Sequence, residues 1–266
     1  MPYPTAIINV MSGAAEKAAR PLRRDFGEIE NLQVSLKGPD NFVTSADIRT
    51  QEILHRELSR ARPGYGFLME EGLEEAGDGE HRWIVDPVDG TLNFLRGIPH
   101  FAISIALERA GTIVGAFVLD PIKHEAYWAE KGRGAYVNDR RLRITPRSTL
   151  DGAVIALDLP HRSRGTHDLH LSRQRQIMQR VAGLRRFGAA ALDLCYVASG
   201  RIDGYWETGL NPWDIAGGML CVTEAGGSVV GLRRNSCPLI TGDVVAGTPD
   251  IAIALQDCLA EADRQV

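Results

Sequence analysis

Cysteine is scarce in this 266-residue chain: Cys195, Cys221, Cys237 and Cys258 are its only four. They are widely spaced, contain no Cys-x-x-Cys pair and fall short of a disulfide-stapled scaffold, so they read as reduced, mostly packed thiols. An excess of basic charge is also missing, with 30 Lys and Arg against 34 Asp and Glu and a formal net charge of -4. Without a positive field to hold a phosphate backbone, direct nucleic-acid binding is disfavoured. No apolar run approaches a membrane span, and the short apolar stretch 5–10 has no basic segment before it. A cytoplasmic protein that does not engage a membrane is the expectation. Internal repeats and low-complexity linkers are absent too. The whole of 1–266 therefore reads as a single unit, with a boundary near 150 dividing it into halves of about 1–150 and about 151–266.

What remains is an ordinary globular composition, 44% hydrophobic and 24% charged. Between 5 and 26, Ile7, Ile8, Val10, Met11, Ala14, Ala15, Ala18 and Leu22 recur at helical spacing, and Pro21 is expected to kink or interrupt that helix. Gly38-Pro39-Asp40-Asn41 is turn chemistry. Thr44-Ser45-Ala46-Asp47 then opens a second helix with Ile48, Ile53, Leu54 and Leu58 on its apolar face, closed by Arg62-Pro63-Gly64. After residue 80, β-branched and apolar runs at 83–85, 101–107, 112–119, 125–128 and 135–137 predict strands of one sheet. From 150 onward a strand at 154–157 alternates with helices at 168–182, 189–199, 213–225 and 249–262 and with strands near 203 and 243. Periodicity alone reaches mixed α and β in layers.

The stretch richest in chemistry is Trp83-Ile84-Val85-Asp86-Pro87-Val88-Asp89-Gly90-Thr91-Leu92-Asn93-Phe94, in which an apolar strand delivers two carboxylates into a turn and a helix start. Pro87 biases Asp86 toward an extended conformation, Gly90 admits a geometry or close approach that a side chain blocks, and the following amides can face an anion. An Asx-rich turn explains the same residues locally. Two further acidic sites tilt the balance. Glu70 and Glu71 end the apolar run Phe67-Leu68-Met69, although a solvated acidic loop with Glu74 and Glu75 is the plainer reading. In Asn211-Pro212-Trp213-Asp214, Asn211 can cap a helix, Pro212 suits its first position and Asp214 complements the helix dipole. Four inward carboxylates repel one another unless a cation neutralises them, and all-oxygen ligation favours Mg2+.

Glu70-Glu71, Asp86-Pro87-Val88-Asp89-Gly90-Thr91-Leu92-Asn93-Phe94 and Trp213-Asp214 with Ala225-Gly226-Gly227 resemble, in order and separation, the signatures of the inositol monophosphatase family, bacterial members most of all. The resemblance covers nearly the whole chain. It implies an α+β fold, the layered αβαβα sandwich shared with fructose-1,6-bisphosphatases, in a homodimer. It implies two or more Mg2+ ions, one held by Glu70, Asp86 and the Val88 carbonyl and another by Asp86, Asp89 and Asp214. Thr91 and Glu70 would position and activate a metal-bound water for in-line attack on phosphorus, with Asp89 also in the catalytic set. By the same resemblance Gly90 and Thr91 would bind phosphate through their amides, while Glu207, Gly188, Ala190, Arg185 and Asp214 would contact the rest of the substrate. Lys37 would close over the site, and Asp47 and Glu71 would act behind it.

Met69, Gly72 and Ala189 depart from the family's usual Gly, Ser, and Ser or Thr; none is a proposed metal ligand. The substrate implied is a small phosphorylated polyol, above all myo-inositol monophosphate, with lithium sensitivity common in the family. Histidinol phosphate, fructose bisphosphate and nucleotide 3'-phosphates are the enzymatic alternatives, and Asn93-Phe94 favours the inositol branch. Another class remains open, a regulatory protein bound to transcription or ribosome machinery, since some bacterial relatives have that association. His161, His167 and His170 read as part of an exposed loop, His100 as a packed or capping residue, and Cys195 and Cys221 as core.

Overall fold

The structure is a computed structural model describing residues 4–28, 34–38, 41–159 and 167–264; the side chains of 34–38 and 41–43 lie outside it. The first helix, α1 (Ala6–Gly27), buries Ile8, Met11, Ala14, Ala15, Ala18, Ala19 and Leu22, spaced three and four apart along one face. Pro21 does not interrupt it. A proline in the last two turns removes one amide from the ladder, and the packed stripe outweighs that loss.

A hairpin of β1 (Val34–Gly38) and β2 (Asn41–Thr44) follows; the turn residues Pro39 and Asp40 between its strands lie outside the described residues. The next helix, α2 (Ser45–Ala61), starts at a full capping box: Thr44 Oγ1 accepts the amides of Ala46 and Asp47 at 3.1 and 3.2 Å, and the Asp47 carboxylate accepts the Thr44 amide at 3.0 Å. Leu54 and Leu58 are buried as expected, whereas Ile48 is 42% exposed. Three residues after Ser45, Ile48 falls off the stripe that Leu54 and Leu58 define.

β3 (Gly66–Met69), β4 (Glu74–Glu75), β5 (His81–Asp89), β6 (Ala102–Arg109), β7 (Thr112–Asp120), β8 (Glu125–Glu130), β9 (Gly134–Val137) and β10 (Arg140–Arg141) form one sheet in the order β10-β9-β8-β7-β6-β5-β3-β4, with short α3 (Thr91–Leu95) after β5. It is antiparallel throughout except where β3 lies parallel to β5. The remaining elements are β11 (Val154–Leu157), α4 (His167–Met178), β12 (Gly183–Arg185), α5 (Ala190–Ala198), β13 (Gly204–Glu207), α6 (Pro212–Glu224), β14 (Ser228–Val230), α7 (Pro238–Thr241), β15 (Val244–Gly247) and α8 (Pro249–Asp263). Their strands form a second sheet, β12-β11-β13-β15-β14.

Three cores separate the layers. Ile8, Met11, Leu54 and Leu58 of α1 and α2 pack with Trp83, Phe101, Ile103 and Phe117 on one face of the large sheet. On its other face Ile84, Ala106, Val118 and Tyr127 meet α5 and α6, which also pack on Tyr205 and Ala246 of the second sheet. Ile177, Ile251, Leu255 and Leu259 of α4 and α8 cover that sheet's far side. The result is the αβαβα sandwich. His170 corrects the loop reading of its neighbourhood: it sits in α4, 5% exposed, with its ring stacked on Trp206. His161 lies outside the described residues.

Candidate active site

Side chains alternate along a regular strand, so residues three apart face opposite sides. In β5 the pairing with β6 runs regularly to Asp86 opposite Ser104 and resumes at Asp89 opposite Ala102, three residues against two. The extra residue makes a bulge at Pro87-Val88, where proline has no amide to give the ladder, and it brings Asp86 and Asp89 to the same side. Both are buried. The Val88 amide donates to Asp86 Oδ1 at 2.9 Å, and Asp89 Oδ2 accepts the Ala191 amide at 2.8 Å, at the start of α5.

Glu70 joins them because β3 runs parallel beside β5, and its amide donates to the Val85 carbonyl at 3.2 Å. Its turn is clamped from α2: Gln51 Oε1 accepts the Glu71 amide at 3.0 Å, and Gln51 Nε2 donates to the Glu71 carbonyl at 3.4 Å. Asp214 arrives from the first turn of α6, where its Oδ2 accepts the Asn211 amide at 2.7 Å. Small residues allow α6 this close. A Cβ on Gly217 would stand 2.6 Å from Ser104 Oγ, and one on Gly218 would stand 2.5 Å from Leu194 Cβ of α5.

Electrostatics binds these acids into one group. Burial pushes the Asp86 carboxyl well above its usual range, Glu70, Asp89 and Asp214 push it further, and it hydrogen-bonds Glu70. Asp89 is raised likewise, by burial first and then by Asp214. Crowded, buried, oxygen-only groups of this kind are suited to a hard divalent cation, which removes their mutual repulsion. As the side chains stand, no three His, Cys, Asp or Glu among the described residues are drawn into a metal-ligating group.

Gly90 follows the bulge with φ +90° and begins α3. A Cβ there would meet the Gly188 carbonyl at 3.1 Å and the Ala189 Cβ and His100 carbonyl at 3.2 Å. Thr91 Oγ1 lies 3.1 Å from Asp47 Oδ1 and 3.0 Å from the Val88 carbonyl, so its one proton goes to either in turn. Asp47 is fully buried, and burial raises its carboxyl above the usual range despite the bonds from Thr44 and Thr91. Asn93 Nδ2 donates to the carbonyls of His100 at 2.8 Å and Phe187 at 2.7 Å, which draws the turn at Gly188 (φ +83°) against α3. Ala190, the first residue of α5, follows that turn.

Glu207 ends β13, hydrogen-bonded by the Tyr205 hydroxyl and raised by burial and by nearby Asp158. Arg185, in β12, donates to the Leu184 carbonyl at 2.9 Å. Its neighbour Arg186 instead reaches Asp158 at 2.6 Å. The Lys37 side chain lies outside the described residues, while its backbone belongs to β1.

The assembly of Glu70, Asp86, Asp89 and Asp214 on this sandwich coincides with a family-wide match, since residues 4–266 fit the model of the inositol monophosphatase family. The chain belongs to that family. It is 54% identical over 256 residues to an inositol-1-monophosphatase of Rhizobium meliloti, with 96% of each chain covered. It is 39% identical over 246 residues to the Nus factor SuhB of Pseudomonas aeruginosa, with 91% of each covered. The crystal structure of the extragenic suppressor protein suhB from Bartonella henselae superposes with a TM-score of 0.93 at 50% identity, covering 96% of this chain and 98% of that one.

Within this inositol monophosphatase fold, sequence reasoning missed Gln51, whose clamp on Glu71 needs the tertiary structure to be seen. It also missed Asp193, fully buried on α5, whose Oδ1 is 3.6 Å from His100 Nε2. Burial brings the His100 imidazole down to about 4 and raises the Asp193 carboxyl, so it disfavours the charged form of both partners. His100 is packed, as the sequence suggested, with its ring stacked on Phe187. Cys195 and Cys221 are buried free thiols, as is Cys258, while Cys237 is exposed.

Asn93→Ala strands two carbonyls and frees the Gly188 turn. Loss of about 1–3 kcal/mol of stability is expected, together with a larger rise in KM than fall in kcat. Chemical denaturation and steady-state kinetics on the same preparation measure both.

Proposed function

We propose that this chain is a Mg2+-dependent phosphomonoesterase for small phosphorylated polyols, with myo-inositol monophosphate its first substrate, hydrolysed by water without a covalent intermediate. The observation that carries the reading is the β5 bulge, which gathers Asp86 and Asp89 with Glu70 and Asp214 directly before the Gly90–Thr91 helix start. Glu70, Asp86 and the Val88 carbonyl would hold one ion, and Asp86, Asp89 and Asp214 another. When bound, Mg2+ supplies positive charge for the phosphoryl oxygens and the leaving oxygen and makes water more acidic.

The chain's own groups do the rest. The Gly90 and Thr91 amides receive the phosphate at the start of α3. Thr91, its hydroxyl within reach of Asp47, takes a proton from the attacking water as it passes its own to the Asp47 carboxylate, and Glu70 orients that water. The water oxygen bonds to phosphorus, the ester P–O bond breaks in line, and the released alkoxide takes a proton from solvent. Glu207, Gly188 and Ala190 contact the alcohol portion.

Location in the cytoplasm, a homodimer, and no nucleic-acid or membrane partner complete the proposal; among the described residues no helix is long and apolar enough to cross a membrane. A panel of inositol, histidinol, fructose and nucleotide phosphates tests the substrate. Highest kcat/KM on the inositol ester supports the proposed branch, and preference for another ester moves the substrate while keeping the site. The name of the Pseudomonas aeruginosa relative, Nus factor SuhB, favours a second role in binding a transcription partner. Co-purification with polymerase or ribosomal proteins that survives Asp89→Asn would support it, and failure to co-purify would remove it.

A further inference from the structure

Three parallel strands end together beside the alcohol side of this site. β12, β11 and β13 run in the same direction, with Ala156 paired to Arg185 and Leu157 paired to Trp206. Continuing each register by one residue sets Arg186 beside Leu157 and Asp158 beside Glu207. Ligands commonly bind at the carboxyl ends of parallel strands, and here that edge carries two acids and a guanidinium. Asp158 is fixed: its Oδ1 accepts both Arg186 Nε and the Leu159 amide at 2.6 Å. Oδ2 takes neither bond and lies 3.6 Å from where a Cβ on Gly188 would be, so it faces the turn that Asn93 draws against α3.

We propose that Asp158, held by Arg186, is a specificity-determining residue that works with Glu207 to accept hydrogen bonds from two hydroxyl groups of the substrate's alcohol portion. The inference rests on the phosphomonoesterase reading above and narrows it to uncharged polyols. Carboxylates at neighbouring strand ends, about 4.8 Å apart at the backbone, suit donors on adjacent carbons. They also repel a second phosphate or a carboxylate, and the Asp158 carboxylate offsets the charge of Arg186, which would otherwise attract one.

The test is the ratio of kcat/KM for myo-inositol monophosphate to that for p-nitrophenyl phosphate, whose leaving group carries no free hydroxyl, in wild type, Asp158→Ala and Asp158→Asn. Loss of a charged acceptor is expected to lower the ratio about ten- to a hundredfold in Asp158→Ala. In the isosteric Asp158→Asn, which keeps the fold and one acceptor oxygen, it should fall several-fold. Asp158→Ala should also use fructose bisphosphate better relative to the inositol ester, because Arg186 is released. An unchanged ratio, with both esters slowed alike, would mean that Asp158 only supports the Gly188 turn and would overturn the inference alone. Wild type that hydrolyses neither ester overturns the phosphomonoesterase reading and this inference with it.

Discussion

Asp89→Asn is expected to lower turnover of myo-inositol monophosphate about a thousandfold or more, a loss of roughly 4 kcal/mol of transition-state stabilisation, while leaving the metal-free protein at least as stable as wild type. Asp89 is buried among acids, and burial, Asp214, Asp193 and Glu70 all disfavour its charge. The amide keeps the size of the side chain and an oxygen for the Ala191 amide, so packing survives. What disappears is one negative charge, which a hard cation needs and the apo protein does not. Thermal melts in chelator and initial rates in Mg2+ should therefore move in opposite directions. If Asp89→Asn instead melted well below wild type in chelator, the carboxylate would be part of the scaffold and not a charge held in readiness for an ion.

Stabilisation by Mg2+ should grow as pH rises. Asp86 and Asp89 have folded-state values above the ordinary carboxylate range. A group raised on folding contributes stability that is fully present below its unfolded value, about 3.9 for Asp, and is lost as pH rises through the folded value. In chelator these two acids therefore make the protein less stable toward alkaline pH. Buried Asp47, Asp193 and Glu207, also raised, act in the same direction. His100 and His170, lowered by burial, oppose it, but only below their unfolded value of about 6.5. The window in which the carboxylates act runs upward from about pH 3.9, the unfolded value of Asp, with the opposing contribution of these two imidazoles confined below about pH 6.5. Because protons and Mg2+ compete for the same oxygens, the Tm increment on adding Mg2+ should widen across that window. An increment that is flat or shrinks with pH would place the ion elsewhere.

Much of this architecture is legible in local sequence. Thr44-x-x-Asp47 and Asn211-Pro212 mark helix starts by capping chemistry, and both helices begin there. The strand at 83–85 and the helix stretch 249–262 follow from run length and periodicity. What escapes is what depends on partners distant in sequence. The parallel pairing of β3 with β5 joins residues 66–69 to 82–85 through a turn whose chemistry does not declare a register. Pro87 hints at the bulge, yet only the pairing with β6 shows that Asp86 and Asp89 come to one side. Asp158 carries no motif at all; it gains meaning from lying next to Glu207 across a sheet. Pro21 misleads for the opposite reason, because a local rule yields to the packing of the whole helix face.

The most direct test of the central claim is phosphate release from myo-inositol monophosphate as Mg2+ is titrated into metal-free protein. The account predicts no turnover in chelator, a saturable rise with Mg2+, and no such rise in Asp89→Asn. Turnover that persists in chelator, or its absence from folded protein at every Mg2+ concentration, would contradict it.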